Sequence, residues 1–99
     1  MIAMTDEQLL TMTKLNLQIA GSAFDGYLSE LIIPAAKQAI SQEGIALDLA
    51  NLNDCNIVVM YASYLYRCRA DTEAAMPRML RYALNNRLFS EKAQPEPEE

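Results

Sequence analysis

The sequence predicts an all-α fold, a small bundle of four main helices. Three observations carry this. Apolar residues recur at three- and four-residue spacing in successive stretches, as they do in helices that bury one face. Residues that start and stop helices flank those stretches. Six methionines, only three glycines and abundant Ala and Leu favour helix over sheet.

The first helix starts at Thr5. Thr5-Asp6-Glu7-Gln8 reads as a capping box, in which the hydroxyl and the Gln8 amide satisfy free backbone groups reciprocally. Asp6 and Glu7 also suit the positive helix end. Leu9, Leu10, Met12, Thr13, Leu15 and Leu17 form its stripe, and 18–21 is a connector. Ser22-Ala23-Phe24-Asp25 reads as the next cap. The second helix is expected from Phe24 to Gln42, with Phe24, Tyr27, Leu28, Leu31, Ile32, Ala35, Ala36, Ala39 and Ile40 inside. Pro34 lies within it, and should kink it or split it after Ile33. Gly44 suits its end.

Residues 45–52 read as a loop with leucines tucked under it. Asn53 or Asp54 should cap a third helix, about Asp54 to Arg69. Ile57 to Leu65 is apolar on all sides, which places this helix at the centre of a core or between the domain and a neighbour. Residues 70–75 read as a polar turn. Pro77 then opens a fourth helix, about Pro77 to Phe89, with Met79, Leu80, Ala83, Leu84, Arg87 and Leu88 inside.

Hydrophobic content of 52% over 99 residues fits one domain, 1–92, followed by an acidic tail, 93–99, expected to be disordered. Domains this small bury a limited share of their surface, and many lean on partners. The charge is unevenly placed. Residues 1–54 hold seven acids against Lys14 and Lys37, a net of −5; 55–92 hold six basic residues against three acids, a net of +3; the tail adds −3. Such a dipolar chain can meet a second copy head to tail with opposite charges facing. The alternative is that solvated helix faces simply differ.

The chain has no histidine, the commonest base and metal ligand. It shows no CxxC, no Gly-rich phosphate loop and no nucleophile elbow, so no catalytic, cofactor or metal residue is expected. Cys55 and Cys68 would lie about 20 Å apart on one helix. That is too far for a disulfide, which needs Cα atoms within about 7 Å. No signal peptide is expected, because Met1 to Gln8 is acidic and lacks an apolar core. The run Ile57 to Tyr66 is too short to cross a bilayer. A soluble protein in a reducing cytoplasm fits these features.

The arginines Arg67, Arg69, Arg78 and Arg81, interleaved with tyrosines, can be read as a nucleic-acid footprint. The acidic pI of about 4.6 weighs against that, and arginine equally suits protein interfaces. Tyr61 and Tyr64 fit a core or its rim. Tyr66 falls on another side and suits contact with a second subunit.

The run YLYRCR, a short polar turn and then MPRMLRYALNNRLFS resemble small head–tail connector (adaptor) proteins of tailed bacteriophages and prophages. A capped first helix, a break near Ser22, YLSELIIPAAKQAI ending at glycine and a variable loop follow the same order. The likeness covers about Thr5 to Lys92; MPRMLRYALNNRLF is its distinctive part and the first two helices are generic.

The resemblance implies an all-helical, non-catalytic virion protein without cofactors. It implies assembly in the host cytoplasm into a ring beneath the portal vertex, at the head–tail junction. Its partners would be itself, the portal protein and head-completion or tail proteins. The ring would extend the DNA channel and help retain packaged DNA, which passes without sequence-specific binding. Following the portal's symmetry, it would hold about twelve subunits. The resemblance does not assign contact residues. From charge, Arg67, Arg69, Arg78 and Arg81 of one copy are expected to meet Asp6, Glu7 and Glu30 of a neighbour, around Tyr66. Two other readings stay open: a small helical DNA-packaging factor that touches DNA directly, and a cytoplasmic helical adaptor unrelated to virions.

Overall fold

Thr5 begins the first helix as its sequence suggests. In the computed structural model, which describes residues 3–69 and 75–93, α1 spans Asp6–Leu17. The Gln8 amide N–H donates to Thr5 Oγ1 at 3.1 Å, and the Thr5 N–H donates to Gln8 Oε1 at 2.9 Å. The helix ends where Gln18 turns left-handed at φ 61°, which lets the Ile19 N–H reach the Lys14 carbonyl at 2.9 Å. Leu9 and Thr13 are the buried part of its stripe; Met12 and Leu15 are exposed.

The second helix, α2 (25–42), is made of Asp25–Tyr27, a π-helical turn Leu28–Ile32, and Ile33–Gln42. Ser22 does not cap it with its side chain as expected; its carbonyl instead accepts from the Asp25 N–H at 3.2 Å. Pro34 does not split the helix after Ile33 either. Proline at 34 has no N–H to give, and its ring would press on the carbonyl four residues back. The turn before it widens so that the Ile33 N–H reaches the Leu28 carbonyl, and Ile32 and Ile33 keep helical dihedrals. The widened turn also changes which residues face inward. Leu28, Ile32, Ile33, Ala36 and Ile40 are buried, while Tyr27 and Leu31, expected inside, are exposed.

Gly44 ends α2 at φ 101°, a conformation that favours glycine. A Cβ there would also stand 3.3 Å from Leu88 Cδ1. The following loop buries Ile45 and half-buries Leu47 and Leu49. The Met4 N–H donates to the Leu49 carbonyl at 2.9 Å, which ties the chain start to this loop.

The third helix, α3, spans Leu52–Cys68. Its cap is Asn51, whose side chain accepts from the Asn53 N–H at 2.8 Å, and not Asn53 or Asp54. Leu52 therefore belongs to the helix and projects into solvent. Cys55, Ile57, Val58, Val59 and Ala62 are buried, so this is the central helix of the core. Both cysteines are free. Cys55 donates from Sγ to the Leu49 carbonyl at 3.0 Å, and burial pushes its thiol pKa up.

The fourth helix, α4, spans Arg78–Ala93 and runs past the expected end at Phe89. Pro77 stands just before it, and its carbonyl accepts from the Arg81 N–H at 3.1 Å. Leu80 and Leu84 are buried; Met79, expected inside, is exposed. Of the expected polar turn, 70–74 lie outside the described residues, as do 94–99 of the expected tail; Ala93 belongs to α4.

Side-chain pairs fix the directions of the helices. Lys14–Asp25 at 2.8 Å and Lys37–Asp6 at 2.9 Å set α1 antiparallel to α2. Arg69 of α3's end stacks on Phe24, so α3 returns along α2. Arg81 meets Glu43 and Arg87 meets Asp54, so α4 runs antiparallel along the first half of α3. The result is a slab of 48 × 32 × 18 Å, whose short dimension is about two helix diameters. No strand occurs among the described residues, and none of their helices is long and apolar enough to cross a membrane.

Thr13 points its hydroxyl into the core with no partner for Oγ1. A buried unpaired hydroxyl costs about 1–3 kcal/mol. Thr13→Val keeps the shape and removes the cost, so thermal or urea unfolding should show a variant about 1 kcal/mol more stable. A loss of stability would mean that the hydroxyl is paired.

Candidate subunit interface

The arginine-rich segment divides into side chains held by their own chain and side chains left on the surface. At the end of α3, Arg69 sits among three rings, with its guanidinium carbon 4.5 Å from the Tyr66 centroid, 5.0 Å from Phe24 and 5.8 Å from Tyr27. Its Nη2 donates to the Tyr66 hydroxyl at 3.0 Å, and Tyr66 meets Phe24 edge-on at 6.0 Å. Exposed cation–π contacts contribute about 0.5–1 kcal/mol each, so this clasp is a modest tie between the end of α3 and the start of α2. The half-buried Tyr66 is thus occupied within its own chain.

Arg81 forms a bidentate fork on Glu43, Nη1 to Oε1 and Nη2 to Oε2, both at 3.1 Å. Hydrogen bonding to Glu43 raises the Arg81 pKa above its ordinary value. Arg69 and Arg81 therefore attach to opposite ends of α2. With about 1.5 Å of rise per residue, those ends lie roughly 25 Å apart. The arginines do not form one face. Arg67 and Arg78 are exposed, as are Glu7 and Glu30; Asp6 is exposed but meets Lys37 of its own chain.

The strongest polar assembly is centred on Arg87. Asp54 is wholly buried, and Arg87 Nε donates to its Oδ1 at 2.7 Å. Arg87 Nη1 donates to Glu91 Oε1 at 2.8 Å, and Nη2 to the Ala46 carbonyl at 2.8 Å. Asp54 Oδ2 in turn accepts from the Asp48 N–H at 2.9 Å. One guanidinium thus joins α3, α4 and the 43–51 loop. Its hydrogen bond to Asp54 holds the Arg87 pKa above its ordinary value. A cleft of about 480 Å³ lies over this pair, and four asparagines (Asn51, Asn53, Asn56 and Asn86) are part of its lining. Arg87 was legible as an inward position; its partner was not, because Asp54 also fits a helix cap in sequence.

Apolar side chains complete the surface. Met79, Tyr82 and Phe89 project from the outer side of α4. A second apolar area, a groove of about 300 Å³, lies between α1 and the start of α3 and is lined by Met4, Met12, Leu52, Cys55 and Val59, with Asn53 and Asn56. Glu7 borders a shallower depression that shares Met4 and Met12 with the groove. Neither area stood out in sequence, because Met79 and Met12 satisfy the stripe spacing of their helices.

No group of three or more His, Cys, Asp or Glu residues that could hold a metal ion occurs among the described residues. Comparison with protein-family models, with curated proteins and with solved structures gives no match.

Removing one partner of a buried pair leaves an uncompensated charge and costs about 3–5 kcal/mol. Asp54→Leu and Arg87→Met should each destabilise by that order in chemical denaturation. The double variant should recover most of the loss, because an apolar pair of similar volume carries no desolvation cost. A double variant as unstable as the sum of the two would show that the two residues act separately.

Proposed function

We propose that this chain is a structural subunit of a ring at the head–tail junction of a tailed bacteriophage or prophage. It joins the portal vertex to the tail, extends the DNA channel and helps retain packaged DNA. It assembles in the host cytoplasm and has no catalytic role. One structural observation carries the assembly part of this reading: α4 is apolar on both sides, with Leu80 and Leu84 in the core and Met79, Tyr82 and Phe89 in solvent. Exposed aromatics with methionine and arginine beside them are what protein interfaces enrich. The phage part rests on the resemblance of MPRMLRYALNNRLF and its flanking helices to connector proteins. The two kinds of support meet on the same helix.

The arginine chemistry favours a protein partner over DNA as the main contact. Arg81 and Arg87 are engaged by carboxylates of their own chain, and the chain as a whole carries −5. A phosphate-binding surface needs several free cations on one face.

The test is mixing the purified chain with the portal protein of the same genome, followed by light scattering after size exclusion. A complex with about one chain per portal subunit is expected from matched ring symmetry. Duplex DNA of random sequence should not bind at moderate salt. Failure to bind portal, together with DNA binding that falls steeply with salt, would replace this reading with the DNA-packaging one.

A further inference from the structure

We infer that the outer side of α4 docks into the α1–α3 groove of a second copy of the same chain, making a head-to-tail contact. The inference deepens the connector reading and rests on it for ring closure; the contact itself is argued from the two surfaces.

Three features point to a second copy as occupant. The first is direction. At 100° per residue, Leu52 and Val59 project from α3 on the side opposite Asp54 and Tyr61. Asp54 lies where α4 packs, since Arg87 bonds it. The groove therefore opens away from α4, and the outer side of α4 points the other way. Two unlike surfaces on opposite sides of one chain make a heterologous contact, which repeats into a closed ring or an open filament.

The second feature is apolar matching. Met79 is 72% exposed and Phe89 76% on the α4 side, and Leu52 is 74% exposed at the groove rim. On α4, Met79, Tyr82, Asn86 and Phe89 follow a three-four-three spacing, which is the seam pattern of helices that pack lengthwise on other helices. The groove offers such a seam an apolar bed, Met4, Met12 and Leu52 around Cys55 and Val59.

The third feature is charge. Arg78 and Arg81 stand beside Tyr82 on the α4 side, and Lys92 lies further along the same helix. Glu7 stands beside Met4 and Met12 on the groove side. An α4-to-α4 contact would set Arg78 and Lys92 against their own copies. Docking into the groove can instead set Arg78 against Glu7, so an opposite-sign pair forms in the head-to-tail arrangement. Of the eight interface residues expected from sequence, Arg78, Arg81 and Glu7 border this contact, Arg81 while also bonded to Glu43 of its own chain. Tyr82 and Phe89 take the anchoring part that Tyr66 was expected to play.

The test uses two blocked variants of the full chain. Phe89→Asp spoils the α4 side and leaves the groove intact. Leu52→Asp spoils the groove rim and leaves α4 intact. Both positions are on the surface, so folding is checked by circular dichroism and should be unchanged. In sedimentation at up to about millimolar concentration, where contacts of even weak affinity are populated, wild type should associate. Each variant alone should associate at least about tenfold more weakly, the size of a hot-spot loss. An equimolar mixture should form a complex of two chains and stop, because each variant supplies the surface that the other lacks. A monomeric wild type at that concentration, unaltered association of either variant, or a mixture no better than its parts would each overturn the inference. Portal binding is read separately. Its failure removes the connector reading while leaving this contact standing, and the reverse result removes the contact alone.

Discussion

Arg87 is the point on which the arrangement of this chain turns. A guanidinium carries five donors in a rigid fork, and its burial is tolerable only when most of them are used. Here Asp54, Glu91 and the Ala46 carbonyl take them. Those partners come from α3, from α4 and from the loop between α2 and α3. The requirement therefore fixes three things together: how α4 lies on α3, where the loop runs, and which way the rest of α4 faces. With Arg87 turned inward, Leu80 and Leu84 follow it into the core, and Tyr82 and Phe89 are turned out. The outer surface of α4 is in this sense a consequence of a buried charge.

The same network accounts for much of the uneven charge. The acidic first half and basic second half look, as a sequence, like material for contact between copies. A large part is used within the copy: Glu43 with Arg81, Asp54 with Arg87, Asp6 with Lys37 and Asp25 with Lys14. Their worth differs. Asp6 is well exposed and its partner Lys37 half-buried, and such surface pairs contribute little. The Asp54 pair sits out of water and governs local geometry. What remains for a partner is a smaller set at the rims of apolar areas, where charge sets orientation and encounter more than strength.

Local features of the fold were legible in the sequence because their causes are local. The Thr5–Gln8 box and the stop at Gly44 depend on residues a few positions apart. The all-round apolar run of Ile57 to Leu65 announced the central helix. Features that depend on distant partners were not legible. Asn51, Asn53 and Asp54 all suit a cap, and only the partner at Arg87 decides that Asp54 goes inside. The arginines looked like one patch because they are close in sequence. In space, Arg69 is drawn to the rings at one end of α2 and Arg81 to the carboxylate at the other. The exposed aromatics on α4 were hidden in the same way, since they obey the same spacing rule as core residues.

The π-helical turn at Leu28–Ile32 acts as a phase shift in the longest antiparallel partner of α3. It amounts to one extra residue in a helix, about 100° of rotation for everything downstream. The segment before it is oriented by Asp25 and by the rings around Arg69; the segment after it is oriented by Ile33, Ala36, Lys37 and Ile40. Each half can therefore meet its own neighbours without compromise. This makes the chain sensitive to length rather than to chemistry at that point. A single-residue deletion between 28 and 33 would restore a regular helix yet swing Ile40 out of the core and Lys37 off Asp6. Conservative exchanges at the exposed Glu30 and Leu31 would leave the phase untouched. Reading frames of helix rotation, not only the identity of side chains, are part of what this sequence encodes.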